Sequence, residues 1–330
     1  MHKKLSITAG LAVSALLLWL ACRRVDFNAL AVILTGIKSA PLIFIFFTVL
    51  SELAIRGLKW SLLLSPAGTA RAWDTLRLET AGLALNNVLP LRLGDLARAA
   101  FGADFFNINI VTVLSTILAE KALDLTALLL LAAAAARIAG LAVGTAGAGL
   151  LWILLTLFTA AGAALFYGRR TGHSSAFIRK ESGLKKFVDS LALGFRAFKS
   201  PAAAAGIFAL ALAQWFMNAL NYYWLARAFN IENSVPLTKS VLLSFTGAAA
   251  SSAPGMPGYF GSFELALSAV LSAWGVNKDA AFAYAAVAHL LSYLIITALG
   301  LFFVYQMGQS LGAVWIKFSK KKFKTGAVKF

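Results

Sequence analysis

The sequence predicts an all-α polytopic membrane protein. It has about six full spans plus two re-entrant helical hairpins in an inverted repeat, or about eight spans if each hairpin counts as one. Three observations lead there. The chain is 60% hydrophobic and 13% charged, against roughly half apolar and a quarter charged in soluble domains. Leu141 to Tyr167 runs 27 residues without a charge, where about 20 suffice to cross a hydrocarbon core. Two further apolar stretches carry Pro and Gly at their centres, where a helix breaks.

The elements follow in order. Leu5–Cys22, behind Lys3 and Lys4, is read as the first span. Trp19-Leu20-Ala21-Cys22 has the outline of a lipoprotein cleavage site, but Trp stands where an aliphatic residue is expected and Arg23-Arg24 follows at once. The other spans are about 40–64, 110–136, 141–167, 202–229 and 280–308. Between them lie the hairpins, 76–106 and 237–274. The first turns at Asn86-Asn87-Val88-Leu89-Pro90-Leu91-Arg92-Leu93-Gly94, with Pro90 and Gly94 at its tip. The second turns at Pro254, Gly255, Pro257 and Gly258. Arms this short do not span comfortably. Irregular backbone at membrane depth is tolerated only where protein or a wet cavity surrounds it.

Span, hairpin, span thus occurs twice, and the two hairpins enter from opposite sides. That is the inverted-repeat architecture of many secondary transporters, whose sites lie where broken helices meet. No residue-level identity between the halves is evident from the sequence.

Charge sets the orientation. The basic loop 168–201 holds eight Lys/Arg against Glu181 and Asp189, and the basic tail 309–330 holds six lysines and no acid. On six spans both fall on the side of Lys3 and Lys4, and the positive-inside rule makes that side cytoplasmic. The expectation is a bacterial cytoplasmic (inner) membrane protein with both termini inside. The net charge of +17 is thereby assigned to membrane flanks and anionic lipid rather than to nucleic acid. Cys22 is the single cysteine, and His2, His173 and His289 lie far apart, so no disulfide, metal set or cofactor is expected. No long polar stretch suggests an appended soluble domain. Gly144, Gly147 and Gly149 read as helix packing rather than a phosphate loop.

Charges within spans are costly and usually functional. Glu120 and Asp124 share a helix face, with Lys121 one position round. Glu52 and Arg56 have the same spacing. Arg56 and Lys59 are expected to snorkel to cytoplasmic head groups. The first hairpin offers Asn86, Asn87, Arg92, Asp95 and Arg98, the second Glu264. Cations beside a helix break, with freed backbone amides, suit an anion. The alternative is ion pairs that lock helices, Asp95–Arg98 among them.

These residues also resemble a known family, the lysylphosphatidylglycerol synthase transmembrane region, or flippase-like membrane proteins. Four segments carry the resemblance. They are Ile55-Arg56-Gly57-Leu58-Lys59-Trp60, Asn87-Val88-Leu89-Pro90-Leu91-Arg92-Leu93-Gly94-Asp95-Leu96-Ala97-Arg98, Glu120-Lys121-Ala122-Leu123-Asp124, and Pro254 through Glu264. Lys121 stands where the family has Arg, Asp95 where it often has Glu, Met256-Pro257 replaces a usual glycine, and His289 falls near a frequent Arg. The resemblance implies lipid translocation, with no synthase domain expected here.

The expected function is therefore translocation or binding of an anionic, phosphate-bearing amphiphile. Arg92 and Arg98 would meet the head group, and Asp95, Glu120, Asp124 and Glu264 would balance charge or relay protons. Expected partners are a membrane lipid and a separate lipid synthase or glycosyltransferase. The rival readings are a membrane lipid phosphatase or transferase, which would need a nucleophile with a base or a carboxylate metal site, and a structural partner of a synthase.

Overall fold

A computed structural model describes residues 19–20, 25–89, 93–140, 196–198, 200–252 and 257–308. Nine α-helices and no strand occur among the described residues. Most of the span expected at 5–22, the whole span expected at 141–167, most of the basic loop and the whole tail lie outside them.

The helices are α1 (Phe27–Thr35), α2 (Ser39–Leu64), α3 (Ala72–Val88), α4 (Leu93–Phe106), α5 (Ile110–Ile138), α6 (Pro201–Ala228), α7 (Leu237–Ser252), α8 (Ser262–Ala273) and α9 (Lys278–Gln306). Three of them, α2, α6 and α9, are long and apolar enough to cross a membrane. The 29 residues of α5 are long enough too, but Glu120, Lys121 and Asp124 cluster at its centre. Helix α1 was not anticipated. Its N-terminus is capped by the Asp26 carboxylate, which accepts from Asn28 N (2.9 Å) and Ala29 N (3.3 Å), satisfying amides that a helix start leaves free.

Local chemistry sets the other ends. Ser200 caps α6 just before Pro201, and Asn109 and Asn277 cap α5 and α9. Both hairpins are present as pairs of short helices. Arms α3 and α4 are 17 and 14 residues long, with α3 starting four residues before the expected boundary. Arms α7 and α8 are 16 and 12 residues long. Gly258 adopts φ +74° in a 3₁₀ turn beginning at Pro257, a conformation that glycine reaches without a steric penalty.

The arms of the first hairpin touch at Gly94. A Cβ there would overlap the Gly82 carbonyl oxygen and the Asn86 backbone amide. Gly94→Ala is expected to force the arms apart and destabilise the protein by about 1–3 kcal/mol, as overpacking does. A melting temperature equal to wild type would show that the arms are not held this closely.

The order long, short, short, long occurs twice, as α2–α5 and α6–α9. Packing follows the same exchange. Helix α3 lies on α9 as α7 lies on α5, α2 on α3 as α6 on α7, and α4 on α5 as α8 on α9. The two first helices, α2 and α6, pack directly on each other. Along them Lys38 N donates to Ala228 O (3.0 Å), Phe44 stacks on Trp224 (4.5 Å), and Lys59 Nζ donates to Gln214 Oε1 (2.5 Å). Numbers rise on one helix as they fall on the other, so α2 and α6 are antiparallel. The halves are therefore related by a pseudo-twofold axis across the helices, and the repeat is inverted.

Candidate functional site

The centre of the first half is an ionic cluster drawn from four helices. Arg98 of α4 lies between two carboxylates, pairing with Glu79 of α3 through Nη1 and Glu120 of α5 through Nη2. Its guanidinium carbon sits 3.9 Å from the Trp60 ring centroid, a distance at which cation–π attraction adds to the ion pairs. Trp60 is fixed in turn, its Nε1 donating to Thr116 Oγ1 at 3.1 Å. Lys59 of α2 pairs with Asp124 and lies 3.6 Å from Glu120 Oε1. Arg56 donates to Glu52 Oε1 at 2.9 and 3.0 Å and stands 3.9 Å from Glu79 and 4.0 Å from Asp124. Asn218 of α6 donates to Glu52 Oε2 at 3.0 Å.

Burial decides what these groups do. Lys59, Glu79 and Glu120 have no exposed surface, and Arg98 is 1% exposed. Buried charges persist only when paired, and this network pairs each cation with more than one acid, although both Glu79 oxygens, Glu120 Oε1 and Arg98 Nε make no hydrogen bond among the described residues. The snorkelling expected of Arg56 and Lys59 is thereby corrected. Helix α6 lies antiparallel across α2, where Gln214 accepts from Lys59 and Asn218 donates to Glu52, the partner of Arg56. The Asp95–Arg98 pair is corrected too. Arg98 turns between Glu79 of α3 and Glu120 of α5, and Asp95 faces Lys121 at 3.5 Å instead.

The other expected residues divide between hairpin and periphery. Asn86 is buried, and Asn87 Nδ2 donates to Thr297 Oγ1 of α9 at 2.9 Å. The Asp95 and Lys121 side chains remain 28% and 38% exposed, so this pair is reachable from outside. Pro90, Arg92, Pro254 and Gly255 lie outside the described residues.

Glu264 belongs to a separate centre in the second half. Its Oε1 lies 2.6 Å from His289 Nδ1, and its Oε2 accepts from Gly261 N at 2.6 Å. His289 sits between Phe260 and Phe263, with centroids 4.7 and 4.6 Å away. Asp95 and Glu264 are each the third residue of their helix, and Lys121 and His289 each the twelfth of theirs. The pairs Asp95–Lys121 and Glu264–His289 are therefore equivalents across the pseudo-twofold, a residue-level correspondence not evident from the sequence.

Three participants were missed by sequence reasoning. Glu79 carried a signal, an acid inside an apolar hairpin arm. Gln214 and Asn218 carried little, because uncharged amides in an apolar helix become informative only when their neighbours are known.

Fold and site together define an all-α polytopic membrane protein with two inverted halves, an ion pair at the first hairpin and a carboxylate–histidine pair at the second. The chain belongs to the lysylphosphatidylglycerol synthase TM region family, which it matches over residues 7–300. It is also similar to a UPF0104 membrane protein of Methanothermobacter thermautotrophicus, 27% identical over 268 residues, covering 76% of this chain and 78% of that one.

Proposed function

We propose that this protein carries a lipid between membrane leaflets, with a phosphate-bearing amphiphile as its substrate class. The observation behind this reading is the inverted pairing of two broken-helix hairpins, each bearing, where its second arm begins, an acid paired with a basic side chain of the following helix. Two equivalent halves facing opposite sides suit alternating access around one site. On this reading the hairpins are re-entrant, the membrane is the bacterial cytoplasmic membrane and the termini are cytoplasmic. Head-group contact falls to Arg92 and the accessible Lys121, with Asn86 and Asn87 of the same hairpin as Arg92 contributing polar groups. Arg98, already clamped by two carboxylates, holds the hairpin in register. Glu120 and Asp124 balance its charge and that of Lys59. A separate synthase or glycosyltransferase would supply the lipid.

The test is reconstitution. Vesicles carrying the purified protein and a head-group-labelled anionic lipid are treated with an impermeant quencher. The expected result is quenching of the inner-leaflet pool, slowed about tenfold or more by Arg92→Ala or Lys121→Ala, since a charge-assisted contact contributes at least that much. Melting temperature should not change. Wild-type quenching no faster than in protein-free vesicles would reject translocation.

One observation favours an enzyme reading. A carboxylate-oriented imidazole, as in Glu264–His289, is the arrangement of a general base. Turnover of a radiolabelled phospholipid by purified protein, abolished by His289→Ala, would select it.

A further inference from the structure

The ionic cluster of the first half does not balance. Its inner acids are Glu52, Glu79, Glu120 and Asp124, and its inner cations are Arg56, Lys59 and Arg98. The Asp95–Lys121 pair at the rim cancels within itself. Four carboxylates therefore meet three cations.

The pairing places the excess. Arg56 donates twice to Glu52 Oε1, and Asn218 donates to the other oxygen. Lys59 donates to Asp124. Those two pairs cancel. What remains is Arg98, one cation between Glu79 and Glu120. The next cation to each acid is further off, Arg56 at 3.9 Å from Glu79 Oε1 and Lys59 at 3.6 Å from Glu120 Oε1. Both of those oxygens are buried and accept no hydrogen bond among the described residues. The unmatched charge and the unmatched acceptors fall on the same two side chains.

The neighbouring elements do not supply the missing charge. Lys121 acts on both acids from the rim but is held by Asp95. Arg77 of α3 pairs with Asp74. Helix α9 meets α3 with Thr297 at Asn87, Gly300 at Thr80 and Phe303 at Trp73, and no residue from 297 to 303 is titratable. Helix α6 brings the uncharged Gln214 to Lys59. Lys239, the charged residue of α7, donates to Ser234 O at 3.0 Å and lies over Trp274. The 3₁₀ turn packed on α3 adds only the phenol of Tyr259.

A buried carboxylate without a matching cation is neutralised rather than left ionised, and two carboxylates in one site divide a single proton between them. A metal ion suits the place less well. Hard cations take about six oxygen ligands, and Arg98 already stands between these two acids.

We propose that the Glu79–Arg98–Glu120 triad is a proton-binding site, with one proton shared by the two carboxyl groups, and that this proton is the ion coupled to lipid movement. The coupling rests on the translocation reading. Asp95 lies three residues before Arg98 on α4, Lys121 adjoins Glu120 on α5, and both side chains are part-exposed. The rim pair is therefore placed to exchange protons between the outside and the triad.

The site is read by infrared spectroscopy of full-length protein in detergent at neutral pH. The expected result is a protonated-carboxyl band that shifts in heavy water. It should be lost in Glu79→Gln and in Glu120→Gln, since either change leaves Arg98 with one acid, and it should persist in Asp95→Asn. If the Gln variants do not fold, Glu79→Asp keeps the acid and should move the band. Coupling is read in phosphatidylcholine vesicles carrying the protein and head-group-labelled phosphatidylglycerol. Transfer between leaflets should respond to an imposed pH gradient. The response should vanish with a proton ionophore and in Glu79→Gln.

A spectrum unchanged by every Glu79 and Glu120 variant would overturn the proton site. So would the absence of any such band in a protein whose melting temperature rises with sodium. A band that behaves as expected beside transfer that ignores the gradient would overturn the coupling. No transfer under any condition, with the band intact, would reject translocation and leave the proton site assigned.

Discussion

Arg98→Ala is expected to destabilise the protein by about 3–5 kcal/mol, the usual cost of removing one partner from a buried ionic site. The change strips the shared cation from Glu79 and Glu120, neither of which has exposed surface. The two carboxylates, one on α3 and one on α5, would then lie near each other without the cation they share, and Trp60 would lose the guanidinium stacked on it. The effect should appear as a large fall in melting temperature and in detergent-extractable yield, before any effect on transport is measured. Arg98→Lys should recover only part of the loss, because lysine restores charge but not a planar fork that reaches two acids at once. Adding Glu79→Gln to Arg98→Ala removes one orphaned charge and should regain stability. A stable Arg98→Ala protein with lost lipid binding would overturn this assignment and return Arg98 to the head group.

Glu264→Ala is expected to cost about 3 kcal/mol by a different route. The carboxylate does two tasks at once. It accepts from Gly261 N at the start of α8, and it meets His289 Nδ1 on α9. Loss of an N-terminal cap accounts for about 1 kcal/mol, and a buried hydrogen bond involving a charged group for about 1.5–3 kcal/mol. The local consequence is specific. Helix α8 should fray at its first turn, so hydrogen exchange should rise at residues 262–265 and spare α2. Glu264→Gln should retain most of the stability, since its carbonyl oxygen still accepts from Gly261. If Gln proves as damaging as Ala, charge rather than hydrogen bonding holds this hairpin.

The sequence by itself determined the helical class, the two breaks and the positions of the charges. Membrane-length apolar runs need no tertiary context, because solvent alone selects helices for them. Pro90, Gly94, Pro257 and Gly258 mark their breaks through backbone geometry that is local to a few residues. What the sequence left open was who faces whom. Spacing along one helix suggested Asp95 with Arg98, but a helix offers neighbours only on its own surface. The contacts that settle Arg98 come from Glu79, Glu120 and Trp60 on three other helices. Arg56 and Lys59 read as snorkelling residues near a helix end. Lys59 is buried and Arg56 largely so because α6 crosses α2 in the antiparallel sense and brings Gln214 to Lys59 and Asn218 to Glu52, the partner of Arg56. The equivalence of Asp95–Lys121 with Glu264–His289 was likewise decided only by the tertiary structure. A pseudo-twofold constrains positions in space rather than residue identities, so two halves can share a frame while one pairs its acid with lysine and the other with histidine.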